Sequence, residues 1–109
     1  MPYIPNQGDI VIMDFDPQAD LKQKGRRPAL VVSNNKYNQH CKMVLVCPIT
    51  NTDKNHPFHI KLHDTQTTGV VLCDQIKALD LIARSVRYKE SVPDNILEEA
   101  VDLVCSFVE

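Results

Sequence analysis

The chain has 109 residues, a formal net charge of −2 and 43% hydrophobic residues, which suits one compact core and is too short for two ordinary domains. It has no Trp, three Tyr and three Phe, so broad binding of single strands on aromatic stacking platforms is disfavoured. No apolar run approaches the roughly 20 residues that span a bilayer, and the first residues lack the pattern of a secretion signal. We therefore predict a single domain over residues 1–109, in the cytoplasm and without membrane contact.

Charge is distributed unevenly along this chain. Between Lys22 and Arg27 there are four Lys or Arg residues and no carboxylate. From Glu90 to the last residue there are six carboxylates and no Lys or Arg. The pattern predicts one basic site and one acidic face.

The first half of the chain predicts three strands. The short apolar run 10–15 is typical of a buried strand. The polar segment 16–28, which is interrupted by Pro and Gly, predicts a mobile loop. Aliphatic runs over 29–32 and 43–47 predict strands two and three, separated by the polar segment 34–39.

The second half predicts shorter strands. Apolar and polar residues alternate over 58–63, which indicates a half-exposed strand with Ile60 inward and His59 outward. Residues 70–73 and 76–79 are further strand segments. Five or six short strands in about seventy residues predict a small, strongly curved β-barrel or twisted sheet.

The C-terminal segment changes its hydrophobic period. Apolar residues recur at spacings of three and four between Ile96 and Val108, with carboxylates between them. Pro93 and Asp94 are typical helix-start residues. The segment predicts a helix over about 93–108 that packs its apolar stripe against the sheet.

The cysteines and histidines do not form a metal-binding pattern. The four cysteines include no C-x-x-C pair, and Cys47, Cys73 and Cys105 each lie in an apolar run. Buried, reduced thiols are therefore favoured over disulfides. His59 and His63 fall on the outward side of their strand, so we predict surface histidines and no metal site.

Two short motifs fall at neighbouring strand ends. Gly25-Arg26-Arg27-Pro28 precedes strand two, and Pro48-Ile49-Thr50-Asn51 closes strand three. A residue before Pro favours an extended backbone, so the backbone that carries the Arg27 side chain is conformationally restricted. An Arg so held can grip a phosphate through two donors and stabilise a charged transition state. By themselves, however, these residues favour a solvated loop arginine and a turn-capping threonine.

The ordered set of motifs resembles one known family. With Gly8-Asp9 and Asp14-Phe15-Asp16-Pro17, the two motifs above resemble the MazF/PemK family of toxin endoribonucleases, roughly from Gly8 to Val108. The resemblance implies a mainly β fold with α: a small SH3-like or CcdB-like β-barrel of five to six short strands plus the C-terminal helix. It also implies a sequence-specific, metal-independent endoribonuclease that cuts single-stranded RNA as the toxin of a type II toxin-antitoxin system.

The resemblance assigns roles to particular residues. Arg27 and Thr50 match the family's catalytic positions, and both would contact the scissile phosphate. The ribose 2′-hydroxyl of the substrate would attack the adjacent phosphorus, leaving a cyclic phosphate and a 5′-hydroxyl, without cofactor. We predict RNA contacts for six further residues: Lys22, Gln23, Lys24, Arg26, Asn51 and Gln75.

One stretch departs from the family pattern. Many members carry Gly-x-Glu-Gln in the first loop, where this chain has Asp20-Leu21-Lys22-Gln23. Lys22 thus occupies the position of a Glu that contributes to activity in some relatives. It either binds phosphate or marks a weakened or differently selective enzyme.

The resemblance also implies partners. It predicts a homodimer, and an antitoxin whose acidic, extended tail occupies the basic region around 22–27. Two other functions remain open on the same fold. One is a CcdB-like toxin that targets DNA gyrase, and the other is a non-catalytic RNA-binding or adaptor module.

Overall fold

The computed structural model describes residues 3–14, 26–52, 57–82 and 85–109. The elements, in chain order, are β1 (Asp9–Asp14), β2 (Arg26–Val31), α1 (Asn35–Cys41), β3 (Met43–Thr50), β4 (His59–Lys61), β5 (Val70–Leu72), a 3-10 helix (Cys73–Gln75), β6 (Lys77–Asp80), β7 (Arg87–Ser91) and α2 (Asp94–Ser106). Residues 16–25 of the predicted first loop lie outside the described ranges, as does Phe15, the last residue of the predicted first strand.

The seven strands form one antiparallel sheet in the order β4-β5-β3-β2-β1-β7, with β6 also paired to β3. Within the described residues the two outer strands of this path, β4 and β7, are not paired with each other, so the sheet is open. The predicted mainly β fold with a C-terminal helix is confirmed. The word barrel describes the sheet only loosely.

The two faces of the sheet carry separate apolar clusters. Helix α2 covers one face, which we call the helix face, and buries Ile96 and Ala100 against it. This confirms the predicted docking for the first part of the apolar stripe. The prediction was wrong at its end, because α2 stops at Ser106 and Val108 is 85% exposed. The opposite face, here the far face, holds a second buried cluster: Val11, Met13, Ala29, Val31, Val44, Val46 and Leu79.

Apart from the short 3-10 helix, two elements were missed by the sequence analysis, and one of them is α1. The Oδ1 atom of Asn34 accepts the Tyr37 N–H at 2.8 Å and caps the helix start. The fully buried Asn38 donates to the carbonyls of Pro5 and Ser33 at 3.0 and 3.2 Å. The polar composition of 34–39 therefore serves capping and internal hydrogen bonds, which makes the segment resemble a loop in sequence.

The other missed element is β7. Four of its five residues are exposed, so it has no apolar face that a sequence pattern would show. It pairs with β1 through a register shift between Ile10 and Val11. Its position in the sheet comes from backbone pairing rather than from side-chain burial.

The predicted boundary of the first loop was wrong at its end. Residues 26–28, assigned to the loop, belong to β2 and pair with residues 12–14 of β1. Backbone pairing with β1 outweighs their polar composition and extends β2 by three residues toward the loop.

The cysteines follow the prediction only in part. All four are free, and Cys47 and Cys73 are buried, but Cys105 is exposed. The last turn of α2 extends past the packed stripe, since residues 105–109 are all exposed. A hydrogen bond with Cys73, together with burial, raises the pKa of Cys47, so this thiol stays protonated.

Among the described residues, no helix has the length and apolar character to cross a membrane.

Replacing Ile96 by Ala tests the docking of α2. Ile96 is 0% exposed, so we expect a loss of about 2–5 kcal/mol in the free energy of unfolding, measured by urea titration. The matched control is Val108→Ala at a position that is 85% exposed, where a change within about 0.5 kcal/mol is expected. Equal losses in the two variants would contradict this packing.

Candidate active site

Strand register brings the two predicted catalytic residues together. In the β2–β3 ladder Ala29 lies opposite Pro48, and Val31 lies opposite Val46. The last pair of the ladder toward this end is Ala29 with Pro48, and a register continued by two further residues predicts that Arg27 lies opposite Thr50. Neighbouring strands are about 4.8 Å apart, so both side chains can reach one phosphate group.

Both side chains belong to the far face. Alternate residues of a strand share a face, and Ala29 and Val31 lie in the far-face cluster, which puts Arg27 on that side. The same argument from Val46 puts Thr50 there. The pair therefore lies on the opposite side of the sheet from α2.

The Thr50 hydroxyl makes the turn-capping contact, and the predicted ligand contact stays a prediction. Its oxygen accepts the Thr52 N–H at 3.2 Å, which is the turn-capping contact. A hydroxyl also has one proton to donate. The cap fixes the oxygen and leaves that proton to donate to a ligand, so capping and ligand binding are compatible.

The two arginines of the motif do not share a surface. Arg27 is exposed, and Arg26 is half-buried. Because they are adjacent in β2, their side chains project from opposite faces. The RNA contact assigned to Arg26 stays a prediction. Those assigned to Lys22, Gln23 and Lys24 fall on residues that lie outside the described ranges.

A loop that the sequence analysis did not single out supports the end of β3. We call residues 62–69, between β4 and β5, the support loop. Gly69 has a φ of +115°, and a Cβ atom there would lie 2.3 Å from the carbonyl oxygen of Thr50, so only glycine fits. The Thr68 hydroxyl donates to Oδ1 of Asn51 at 2.8 Å. These contacts fix the backbone of Thr50 and the side chain of Asn51.

Glu90 of β7 anchors the support loop. Its carboxylate accepts the N–H groups of Gln66 and Thr67 at 3.1 and 2.7 Å and the Thr67 hydroxyl at 2.6 Å. Desolvation acts to raise the pKa of Glu90, but these hydrogen bonds outweigh it and lower the pKa. The contact also links the two ends of the open sheet.

Asp9, from the Gly8-Asp9 pair, has a structural role. It is 4% exposed and accepts hydrogen bonds from the Tyr3 hydroxyl, the Asn6 N–H at 2.9 Å and the Ser91 hydroxyl at 3.1 Å. Burial and the bond to Asp9 raise the pKa of Tyr3. Asp9 thereby joins the N-terminal segment and β7 to β1.

Two further positions, Gln75 and His59, lie on elements that contact α2. Gln75 is exposed at the end of the 3-10 helix, which contacts α2, and its RNA contact stays a prediction. The prediction that His59 is a surface residue was wrong. Its side chain is 10% exposed, and its Nε2 lies 3.6 Å from Oδ1 of Asp74. It also lines a pocket together with Asp102 and Leu103 of α2.

The predicted acidic face is present on α2. Its exposed residues include the carboxylates Asp94, Glu98, Glu99 and Asp102. Among the residues that the structure describes, no three His, Cys, Asp or Glu side chains are grouped to hold a metal ion.

A sequence model of the family described as "PemK-like, MazF-like toxin of type II toxin-antitoxin system" matches residues 6–108. The chain belongs to this family. The endoribonuclease toxin MazF of Escherichia coli K12 is 38% identical over 96 residues, which cover 88% of this chain and 86% of that protein. The endoribonuclease toxin ChpB of the same strain is 40% identical over 101 residues, covering 87% and 86%.

Solved structures of this family share the fold. The crystal structure of MazF from Deinococcus radiodurans aligns with a TM-score of 0.85 at 36% identity and covers 97% of both chains. A MazE–MazF structure from that organism aligns with a TM-score of 0.83 at 32% identity, covering 97% of this chain and 96% of that one. The open sheet with a C-terminal helix is thus the MazF-like architecture.

Replacing Glu90 by Gln should weaken the anchor of the support loop. The amide NH₂ cannot accept a hydrogen bond, so we expect a lower melting temperature at neutral pH. Because the folded pKa of Glu90 is lowered, its stabilisation is present above the ordinary carboxyl pKa of about 4.3 and is lost as pH falls through the folded value. The melting temperatures of the two proteins should therefore converge in acid.

Thermal unfolding followed by circular dichroism across this pH range checks the prediction. The control is Glu98→Gln, on the exposed face of α2. A difference between wild type and Glu90→Gln that stays constant with pH would contradict the role of the charged carboxylate.

Proposed function

We propose that this chain is a sequence-specific toxin endoribonuclease that cuts single-stranded RNA without a metal ion. The observation that carries the proposal is the β2–β3 register, which pairs Ala29 with Pro48 and Val31 with Val46; continued by two residues, it predicts that Arg27 and Thr50 are neighbours on the far face. Membership of the PemK-like, MazF-like family and the endoribonucleases among its similar relatives support it.

The proposed chemistry uses the substrate's own nucleophile. The ribose 2′-hydroxyl attacks the adjacent phosphorus in line, and the bond to the 5′-oxygen breaks, which leaves a 2′,3′-cyclic phosphate and a 5′-hydroxyl. The Arg27 guanidinium stabilises the extra negative charge of the transition state. The Thr50 hydroxyl donates to a phosphate oxygen and helps to fix the in-line geometry.

The predicted partners are part of the same proposal. We propose that the protein acts in the cytoplasm as a homodimer and that residues 1–109 form one toxin domain. An antitoxin with an acidic, extended tail would bind the basic region 22–27, and a MazE–MazF structure among the similar proteins supports such a pairing. A higher salt concentration screens the charge contacts with RNA and with the antitoxin, so it should weaken both interactions.

Metal-free cleavage by the wild type and by Arg27→Ala tests the function. The purified proteins are incubated with a long mixed-sequence RNA in EDTA, and new 5′ ends are mapped. Wild type should cut at specific sequences, and Arg27→Ala should be slower by about 10²–10³-fold, because one donor to the developing charge is lost. The matched control is Arg87→Ala, at an exposed arginine of β7, which should cut like wild type.

Intact RNA with the wild-type protein would overturn the proposal and favour a gyrase-targeting or binding-only toxin. Equal cleavage by wild type and Arg27→Ala would remove Arg27 from the reaction. Melting curves of both variants establish that the proteins compared are folded.

A single 2′-deoxy substitution tests the nucleophile. In an RNA oligonucleotide with one cleavage site, replacing the 2′-hydroxyl beside the scissile phosphate should abolish cleavage, because no attacking group remains. The same substitution at the next nucleotide is the control and should leave the cut in place. Cleavage of the first substrate would show that water, not the ribose, attacks.

A further inference from the structure

We infer that a polar pocket beside Thr50, formed by β4 and the support loop, binds the nucleotide that neighbours the scissile phosphate of the RNA. This inference rests on the proposed function and adds a specificity-determining site to it. Its central residues, Lys61 and Thr68, were not among the positions predicted from the sequence.

The pocket belongs to the same row of the sheet as the proposed catalytic pair. Thr50 lies opposite Val70 in the β3–β5 ladder, and Val70 lies opposite Lys61 in the β4–β5 ladder. Directly opposed residues project from one face of a sheet. Lys61 is thus two strand spacings, about 10 Å, from Thr50 on the far face. A strand of RNA held at Thr50 would pass this point.

The pocket has the size and polarity for a nucleotide unit. Its volume is about 370 Å³, at the lower end of the range for small-ligand sites. The lining residues are mostly polar: Asn51, Lys61, Leu62, Thr65, Thr67, Thr68, Gly69 and Val70. Within this lining the one charged side chain is the Lys61 ammonium group, so the site favours an anionic or polar ligand.

Each polar group has a defined use in this site. Lys61 is exposed and can contact a phosphate of the RNA strand as a point charge. The Thr68 hydroxyl donates to Oδ1 of Asn51, which fixes the orientation of the amide and offers its NH₂ group to a base acceptor. The Thr68 oxygen keeps lone-pair capacity for a base donor. A base edge could therefore be read by hydrogen bonds, as in other single-stranded RNA sites.

The pocket is also held in shape before a ligand binds. Glu90 anchors the backbone of Gln66 and Thr67, and the Thr65 hydroxyl donates to the Thr67 carbonyl at 2.7 Å. Gly69 packs directly on Thr50. Because the loop is already ordered, binding would lose less conformational entropy, and the pocket keeps a fixed position relative to the proposed cleavage site.

Two variants separate the phosphate contact from the base contact. Lys61→Gln should raise KM about tenfold with kcat retained, and should reduce the slope of log binding constant against log salt by about 0.7, since one phosphate contact is lost. Thr68→Val removes the hydroxyl without changing size. When a randomised RNA library is cleaved, this variant should alter the base frequencies among the cleaved molecules at one position beside the cut. The base frequencies at the other positions should stay unchanged.

Lys36→Gln, at an exposed lysine of α1, is the matched control for charge. If wild type cuts RNA and both pocket variants match Lys36→Gln in KM, salt slope and sequence preference, the pocket assignment is wrong while the proposed function stands. If wild type does not cut, the proposed function fails first. Unchanged RNA kinetics with weakened binding of an acidic peptide would assign the pocket to a protein partner and overturn the inference.

Discussion

The structure depends on the pairing of β3, because this one strand serves three neighbours. Its first half pairs with β6, its end pairs with β5, and its other edge pairs with β2. The register along β3 therefore decides which residues of three other strands meet at its end. A shift of one residue would move Thr50 to the helix face and separate it from Arg27. The proposed catalytic pair is a consequence of that register.

The fold places the acidic surface and the proposed catalytic pair on opposite sides of the sheet. Helix α2 carries its carboxylates on the side of the sheet away from the Arg27–Thr50 pair, so an RNA strand on the far face would avoid the acidic surface. The support loop contributes to the same site from the opposite end of the sheet. Glu90 on β7 holds this loop, and Gly69 within it contacts Thr50. In this way, an open sheet gains a barrel-like connection through side-chain hydrogen bonds, and the end of β3 is fixed on two sides.

Hydrophobic periodicity predicted those elements in which buried and exposed side chains recur at regular spacing. The apolar stripe of α2 and the apolar runs in β1 to β3 were recognised because burying one side of a regular helix or strand leaves a hydrophobic pattern in the sequence. Segments stabilised in other ways were missed. α1 depends on a capping Asn34 and a buried Asn38, and β7 depends on backbone pairing with β1, so neither shows an apolar period. His59 was misplaced because its burial comes from non-local neighbours, Asp74 beyond β5 and the pocket that it lines with residues of α2, which strand alternation does not show.

The sequence by itself determined the family, the mainly β class and the C-terminal helix, and it supplied Arg27 and Thr50 as the proposed catalytic pair, since these follow from ordered motifs and from hydrophobic period. Only the tertiary structure supplied the β2–β3 register from which the proximity of the two residues is inferred. It also decided that Arg26 and Arg27 project from opposite faces, and that Glu90, Thr68 and Gly69 hold Asn51 and the end of β3. These contacts join residues from 17 positions apart in the chain for Asn51 and Thr68 to 24 for Gln66 and Glu90. They depend on strand register and loop geometry, which arise only when the whole sheet has formed.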